Sequence, residues 1–125
     1  MNTVENVRAF VISLPEVEER DHWGKPSFRV RNKIFVTIQE DGTSLIVKTT
    51  QEDRMVYTEL DPSIFSVPTR YSNLNYMVVR LDLISQVELR GLLIKGWSLV
   101  APKSLVNNLD VKSYLEPGIL ARWKL

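Results

Sequence analysis

The chain has 125 residues, near the commonest single-domain size, and its 44% apolar and 25% charged residues are the balance of a globular rather than a disordered protein. Sixteen Lys and Arg offset fifteen Asp and Glu to leave a net charge of +1, which excludes the strongly basic surface of a dedicated nucleic-acid clamp. The absence of cysteine excludes disulfides, thiolate metal sites, iron–sulfur clusters and cysteine nucleophiles.

Met1 to Glu5 lack a basic leader, and no apolar run approaches the ~20 residues of a membrane span, so the expected location is cytoplasmic with no membrane partner. Val4, Val7, Val11 and Leu14, with Phe10 beside them, recur at helical spacing and predict a first helix ended by Pro15. Asn2, with Glu5 three residues on, is placed as its N-cap. Glu16, Glu18, Glu19 and Asp21, broken by Arg20, read as a solvated acidic loop. From Phe28 the period drops to two, with Phe28 and Val30 on one side of a strand and Arg29 and Arg31 on the other. Asn32 marks a turn, and the next strand alternates Ile34, Val36 and Ile38 against Phe35, Thr37 and Gln39. Asp41-Gly42 predicts a type I′ hairpin turn with positive φ at both positions, and Leu45 to Thr49 completes a three-stranded antiparallel meander.

Gln51 to Leu60 predicts a short polar helix that buries Met55, Val56 and Leu60 and stops at Asp61-Pro62. Ile64 to Val67 reads as a brief edge strand and Tyr76 to Leu81 as a longer one, joined by Pro68 to Asn75. Ser85 and Glu88 form a capping box, after which Leu89, Leu92, Leu93, Gly96, Trp97 and Val100 mark one face of a helix from Gln86 to about Val100. Pro102 breaks it and opens a short helix over Lys103 to Leu109. The expected organisation is one domain over residues 1–109 and a tail over 110–125, docked or frayed, in which Pro117-Gly118 interrupts any pattern and Trp123 stands alone.

The run His22-Trp23-Gly24-Lys25-Pro26-Ser27-Phe28-Arg29-Val30, followed by Lys33-Ile34-Phe35, resembles the signature of the MmcQ/YjbR family. The order Glu88-Leu89-Arg90, Leu92-Leu93, Trp97 and Ala101-Pro102-Lys103 agrees with one branch of it, so the resemblance covers residue 4 to about 109. Where many relatives open the later strand with a His-Trp pair, this chain has Asn75-Tyr76. The resemblance implies an α+β fold, helices packed on one face of an antiparallel meander sheet, similar to frataxin-like and secretion-chaperone-like domains. It also implies the label DNA-binding, which the family carries because its two β-hairpins resemble paired wings; fold alone does not establish function.

Arg20, Lys25, Arg29, Arg31 and Lys33 against Asp21 net +4 within fourteen residues. If Phe28 and Val30 face the core, Arg29 and Arg31 share the solvent face, with Lys25 and Lys33 in flanking loops reaching phosphates and Trp23 adding a stacking surface. The same charges also suit a guarded strand edge neutralised by Glu16, Glu18 and Glu19. His22 is the only histidine and has no carboxylate at ligand spacing, so it is read as a loop-holding group, and no metal or cofactor is expected. Ser27 lacks a glycine-flanked elbow, Ser85 is a cap, and Gly24 beside Lys25 and Pro26 is a turn glycine, so no enzyme activity is expected. Trp97 reads as core, whereas Trp23 in the loop with His22, Gly24 and Pro26 is placed to line a groove. The sequence thus points to a non-enzymatic module contacting DNA through Lys25, Arg29, Arg31 and Lys33, or alternatively to a protein-binding, chaperone-like adaptor using a sheet edge and the loop around Trp23.

Overall fold

The computed structural model describes residues 2–114. Helix α1, Val4–Ile12, sends Val7 and Val11 into the core. Its N-cap is Thr3, whose hydroxyl accepts from the Asn6 amide, and not Asn2. The Asn2 carboxamide is buried and instead donates to the carbonyls of Ile84 (2.7 Å) and Leu81 (3.4 Å), tying the start of the chain to the loop before the long helix.

Residues expected as an acidic loop form strand β1, Val17–His22. It pairs with β2, Lys25–Val30, through a two-residue turn at Trp23 (φ 56°) and Gly24 (φ 83°). β2 ends at Val30, and a second two-residue turn, Arg31 (φ 48°) and Asn32 (φ 68°), leads into β3, Lys33–Ile38. Paired positive φ values of this kind belong to the type I′ turn, which matches the twist of the flanking strands. At Asp41-Gly42, where that turn was expected, Gly42 alone has positive φ (69°), and the connection to β4, Ser44–Lys48, is longer. The Asp41 carboxylate caps it by accepting from the Thr43 and Ser44 amides, both at 2.9 Å.

Helix α2, Gln51–Leu60, precedes the two-residue strand β5, Phe65–Ser66. A single 3-10 turn, Thr69–Tyr71, then leads to β6, Tyr76–Arg80. Helix α3, Gln86–Val100, starts at the expected cap, the Ser85 hydroxyl accepting from the Glu88 amide at 3.1 Å, and α4 covers Lys103–Asn108. The six strands form one antiparallel sheet in the order β1-β2-β3-β4-β6-β5. All four helices contribute to a single core on one face, where Trp97 is fully buried and its indole N–H donates to the Pro15 carbonyl at 3.0 Å. Gly96 lets α3 press onto the sheet, since a Cβ there would lie 3.2 Å from the Lys48 carbonyl oxygen and 3.3 Å from Val47 Cγ1. Of the segment 110–114, Val111 and Tyr114 pack against this core, and the Tyr114 hydroxyl donates to the Ser13 carbonyl. Pro117, Gly118 and Trp123 lie outside the described residues.

Two expected faces are corrected. A bulge between β2 and β3 pairs Phe28 with Val36 and Arg29 with Ile34, leaving Phe35 as the extra residue. Phe35 and Val36 therefore both enter the core, while Ile34 joins Thr37 and Gln39 on the opposite face. On α2, Met55, Val56 and Leu60 are exposed, and the inward positions belong to Tyr57, which packs against Phe65, and to Arg54, only 8% exposed.

Candidate functional site

β4 and β6 each divide their side chains by the strand period: Leu45, Val47, Met77 and Val79 enter the helical core, while Ile46 and Tyr76 face away from it. On that second face lies a cavity of about 550 Å³. Ile34, Thr37, Gln39 and Ile46 line its sheet side, His22, Trp23 and Lys25 come from the β1–β2 hairpin, and Arg70, Tyr71, Leu74 and Tyr76 come from the segment entering β6. Its size falls within the range of small-ligand sites, and its mix of apolar, aromatic and a few polar groups is typical of them.

The hairpin wall is unusual. Trp23 is 88% exposed although it is the largest side chain type in the chain, and it holds a left-handed backbone conformation that costs a bulky residue about 1–2 kcal/mol. Its ring stands edge-on to His22, with centroids 6.4 Å apart, and the Asp21 carboxylate accepts from the Gly24 amide to brace the turn. The opposite wall is held by Arg54. One guanidinium nitrogen donates to the carbonyls of Tyr71 (3.0 Å), Leu74 (2.6 Å) and Tyr76 (3.1 Å), and the other to the Ser72 carbonyl (2.9 Å) and Gln51 Oε1 (2.8 Å). A buried cation thus meets five neutral acceptors, four of them backbone groups of the cavity wall.

Electrostatically the cavity contrasts with the sheet edge. Arg8 pairs with Glu19, Arg20 with Glu18 and Arg31 with Glu16. No carboxylate lines the cavity, and neither Lys25 nor Arg70 has an ion-pair partner among the described residues. Arg70 lies over the Tyr71 ring at 4.9 Å and Lys48 over the Tyr76 ring at 5.2 Å. Burial, with a smaller effect of Tyr71, pushes the Tyr76 phenol above its ordinary range, so it stays neutral through physiological pH. Gln39 adds an unsatisfied group, since its Oε1 is buried without a hydrogen-bond partner.

The four basic residues expected to act together are separated. Lys25 lines the cavity, and Arg29 lies on the same side of β2, held by Ser27 Oγ and Asn32 Oδ1, each at 3.1 Å. Arg31 is not on the strand; it occupies the turn and meets Glu16 at 3.1 and 3.3 Å, and the Glu16 hydrogen bonds raise its pKa further. Lys33 is exposed at the start of β3. Of the signature loop, His22 and Trp23 reach the cavity, while Gly24 and Pro26 shape the hairpin and line a shallower depression on its outer side. Gln39, Arg54, Arg70 and Tyr71 were not singled out by sequence; the available signal was a cation and an aromatic, Arg70-Tyr71, inside a polar connection. Asn75, at the departure from the His-Trp pair, accepts from Gln51 Nε2, and Tyr76 lines the cavity.

These features define a small α+β domain whose sheet carries its helical core on one face and a cation-rimmed cavity on the other. The chain belongs to the YjbR family: the family's sequence model, described as YjbR, matches residues 12–99, a span that contains every residue lining the cavity. No curated protein matches it. In structure it is similar to the Deinococcus radiodurans protein DR2400, with its DUF419 domain, at a TM-score of 0.73 and 21% identity over 94% of this chain and 95% of that one. At that identity the likeness is one of fold. No helix among the described residues is long and apolar enough to cross a membrane.

Proposed function

We propose that the domain is a non-enzymatic binding module that takes single-stranded nucleic acid on the face of its sheet opposite the helical core. The observation that carries this reading is the cavity itself, with the exposed Trp23 ring on one wall and with Lys25 and Arg70 offering charges that have no counter-ion among the described residues. Stacking platforms beside unpaired cations are how single strands are held without a duplex groove. The duplex-gripping stripe of Arg29 and Arg31 has less support, because Arg31 leaves the strand and is held by Glu16. An adaptor recruiting a partner strand to a sheet edge also has less support. β1 presents Glu18, Glu19, Arg20 and Asp21 along its length, β5 has two residues, and charged or very short edges oppose strand addition. No group of three His, Cys, Asp or Glu residues among those described is placed to hold a metal, so metal-dependent chemistry has less support than binding.

Fluorescence anisotropy of a labelled single-stranded oligonucleotide tests the reading. Two phosphate contacts, through Lys25 and Arg70, give a salt slope of about −1.4 at about −0.7 per contact. Trp23→Ala is expected to cost about 1–3 kcal/mol of binding, Lys25→Ser to flatten the slope by about 0.7, and Arg31→Ser to change nothing. Binding that is undetectable at low ionic strength, or indifferent to Trp23→Ala and Lys25→Ser, overturns the proposal.

A further inference from the structure

We infer that Trp23 is sandwiched between two successive bases of the bound strand, one seated in the cavity and the next stacked on the outer face of the ring. This rests on the proposed binding of single strands and names the shortest ligand that fills the same site, a dinucleotide. The indole borders the cavity and yet is 88% exposed. A ring laid against the protein on one side would lose a large part of that surface, so both faces of Trp23 are open to solvent. The neighbouring His22 ring stands at 81° to it with centroids 6.4 Å apart, an angle at which the two do not stack. The tip of the hairpin also stands clear of the rest of the chain, since a Cβ added at Gly24 would meet nothing within 4 Å. Below the tip the hairpin is braced: six paired positions join β1 to β2, and the Asp21 carboxylate accepts from the Gly24 amide. Folding gives no reason for a tryptophan here. It buries almost no apolar surface, and its φ of 56° is one that Asn or Gly adopts with less strain. Stacking does give a reason, because it needs only a π face, and a plate bare on both sides offers two. The phosphate joining the two bases then passes the rim of the ring, where Lys25, two positions along the hairpin, has no carboxylate partner among the described residues.

Competition against the labelled oligonucleotide tests this with three dinucleotides of equal charge: the 5′-phosphorylated thymidine dinucleotide, and the same molecule with an abasic sugar in place of its first or its second nucleoside. Each is measured on the wild-type chain, Trp23→Phe and Trp23→Asn. Asn suits the turn, so that variant keeps the hairpin. The wild type is expected to bind the intact dinucleotide on the order of 10-fold more tightly than either abasic form. Trp23→Asn should bind all three alike, and Trp23→Phe, which keeps a smaller ring, should fall between. Equal charge removes the contribution of an added phosphate, and the abasic forms keep the test independent of how the variants fold. An abasic form that binds the wild type as tightly as the intact dinucleotide, or a preference that persists in Trp23→Asn, overturns the inference while leaving single-strand binding intact. Failure of the labelled oligonucleotide itself to bind removes the functional proposal beneath it.

Discussion

Replacing Arg54 by Met keeps the length and the apolar stem of the side chain but removes all five hydrogen bonds of its guanidinium. Four of the abandoned acceptors are carbonyls of residues 71, 72, 74 and 76, so the loss falls on the cavity wall rather than on α2. At about 1 kcal/mol net for each bond, the four backbone interactions amount to about 4 kcal/mol. Taking a guanidinium out of water costs several kcal/mol, part of which the methionine variant recovers. The expected net destabilisation is therefore about 2–3 kcal/mol, or about 8–12 °C in Tm at about 4 °C per kcal/mol. Thermal denaturation followed by circular dichroism measures the global effect. Hydrogen exchange locates it: the amides of Tyr71, Ser72 and Leu74, which now donate within the same segment, should exchange faster than those of α3. Arg54→Lys retains the charge but offers a point of donors instead of a fork, and should recover less than half of the loss. An Arg54→Met protein with unchanged Tm, or one destabilised with no change in exchange at residues 71–76, would refute the claim that this side chain builds the wall.

Trp23→Asn places Asn-Gly in a type I′ turn whose first position already has φ 56°, and the lost ring buries almost nothing. Stability should rise by about 1 kcal/mol, read by urea denaturation, even as oligonucleotide binding falls; a lower midpoint would mean the backbone at Trp23 is not strained. Gly96→Val drives a branched side chain toward the Lys48 carbonyl and Val47, and overpacking should lower stability by about 2 kcal/mol, which thermal melting would detect. The Asp41 carboxyl is held below its ordinary value, chiefly by the Thr43 amide, so its folded pKa lies under its unfolded one. Its stabilisation is complete above about pH 4 and disappears as acid protonates the folded form. The stability difference between wild type and Asp41→Asn should therefore be constant at neutral pH and shrink below about pH 4, as urea midpoints measured across that range would show.

How far sequence carried each element depended on what its pattern encodes. α3 was readable to its ends because a capping box, a run of leucines at helical spacing and Pro102 all agree. β1 was not, because an exposed edge strand has no buried face to impose alternation, and Glu18 to Asp21 look like any solvated loop. The reversed face of α2 has a different origin. Apolar residues are normally assigned inward, but Arg54 is drawn in by carbonyls seventeen or more positions away, a tertiary demand with no local trace. Ile34 and Phe35 were exchanged by a bulge, which resets a period of two without leaving a mark in composition. For the site, the hairpin carrying His22, Trp23 and Lys25 was legible as one contiguous run, whereas Gln39 and Tyr71 join it only because β3 and the segment before β6 are brought there by the sheet.

Since a single layer of backbone separates core from cavity, adjacent residues along β3 answer to different surroundings: Val36 must fit the helices, and Thr37 faces the cavity. Changing the cavity-facing side chains of β3 and β4 would therefore reshape that hollow while leaving the core on the other side of the sheet as it is.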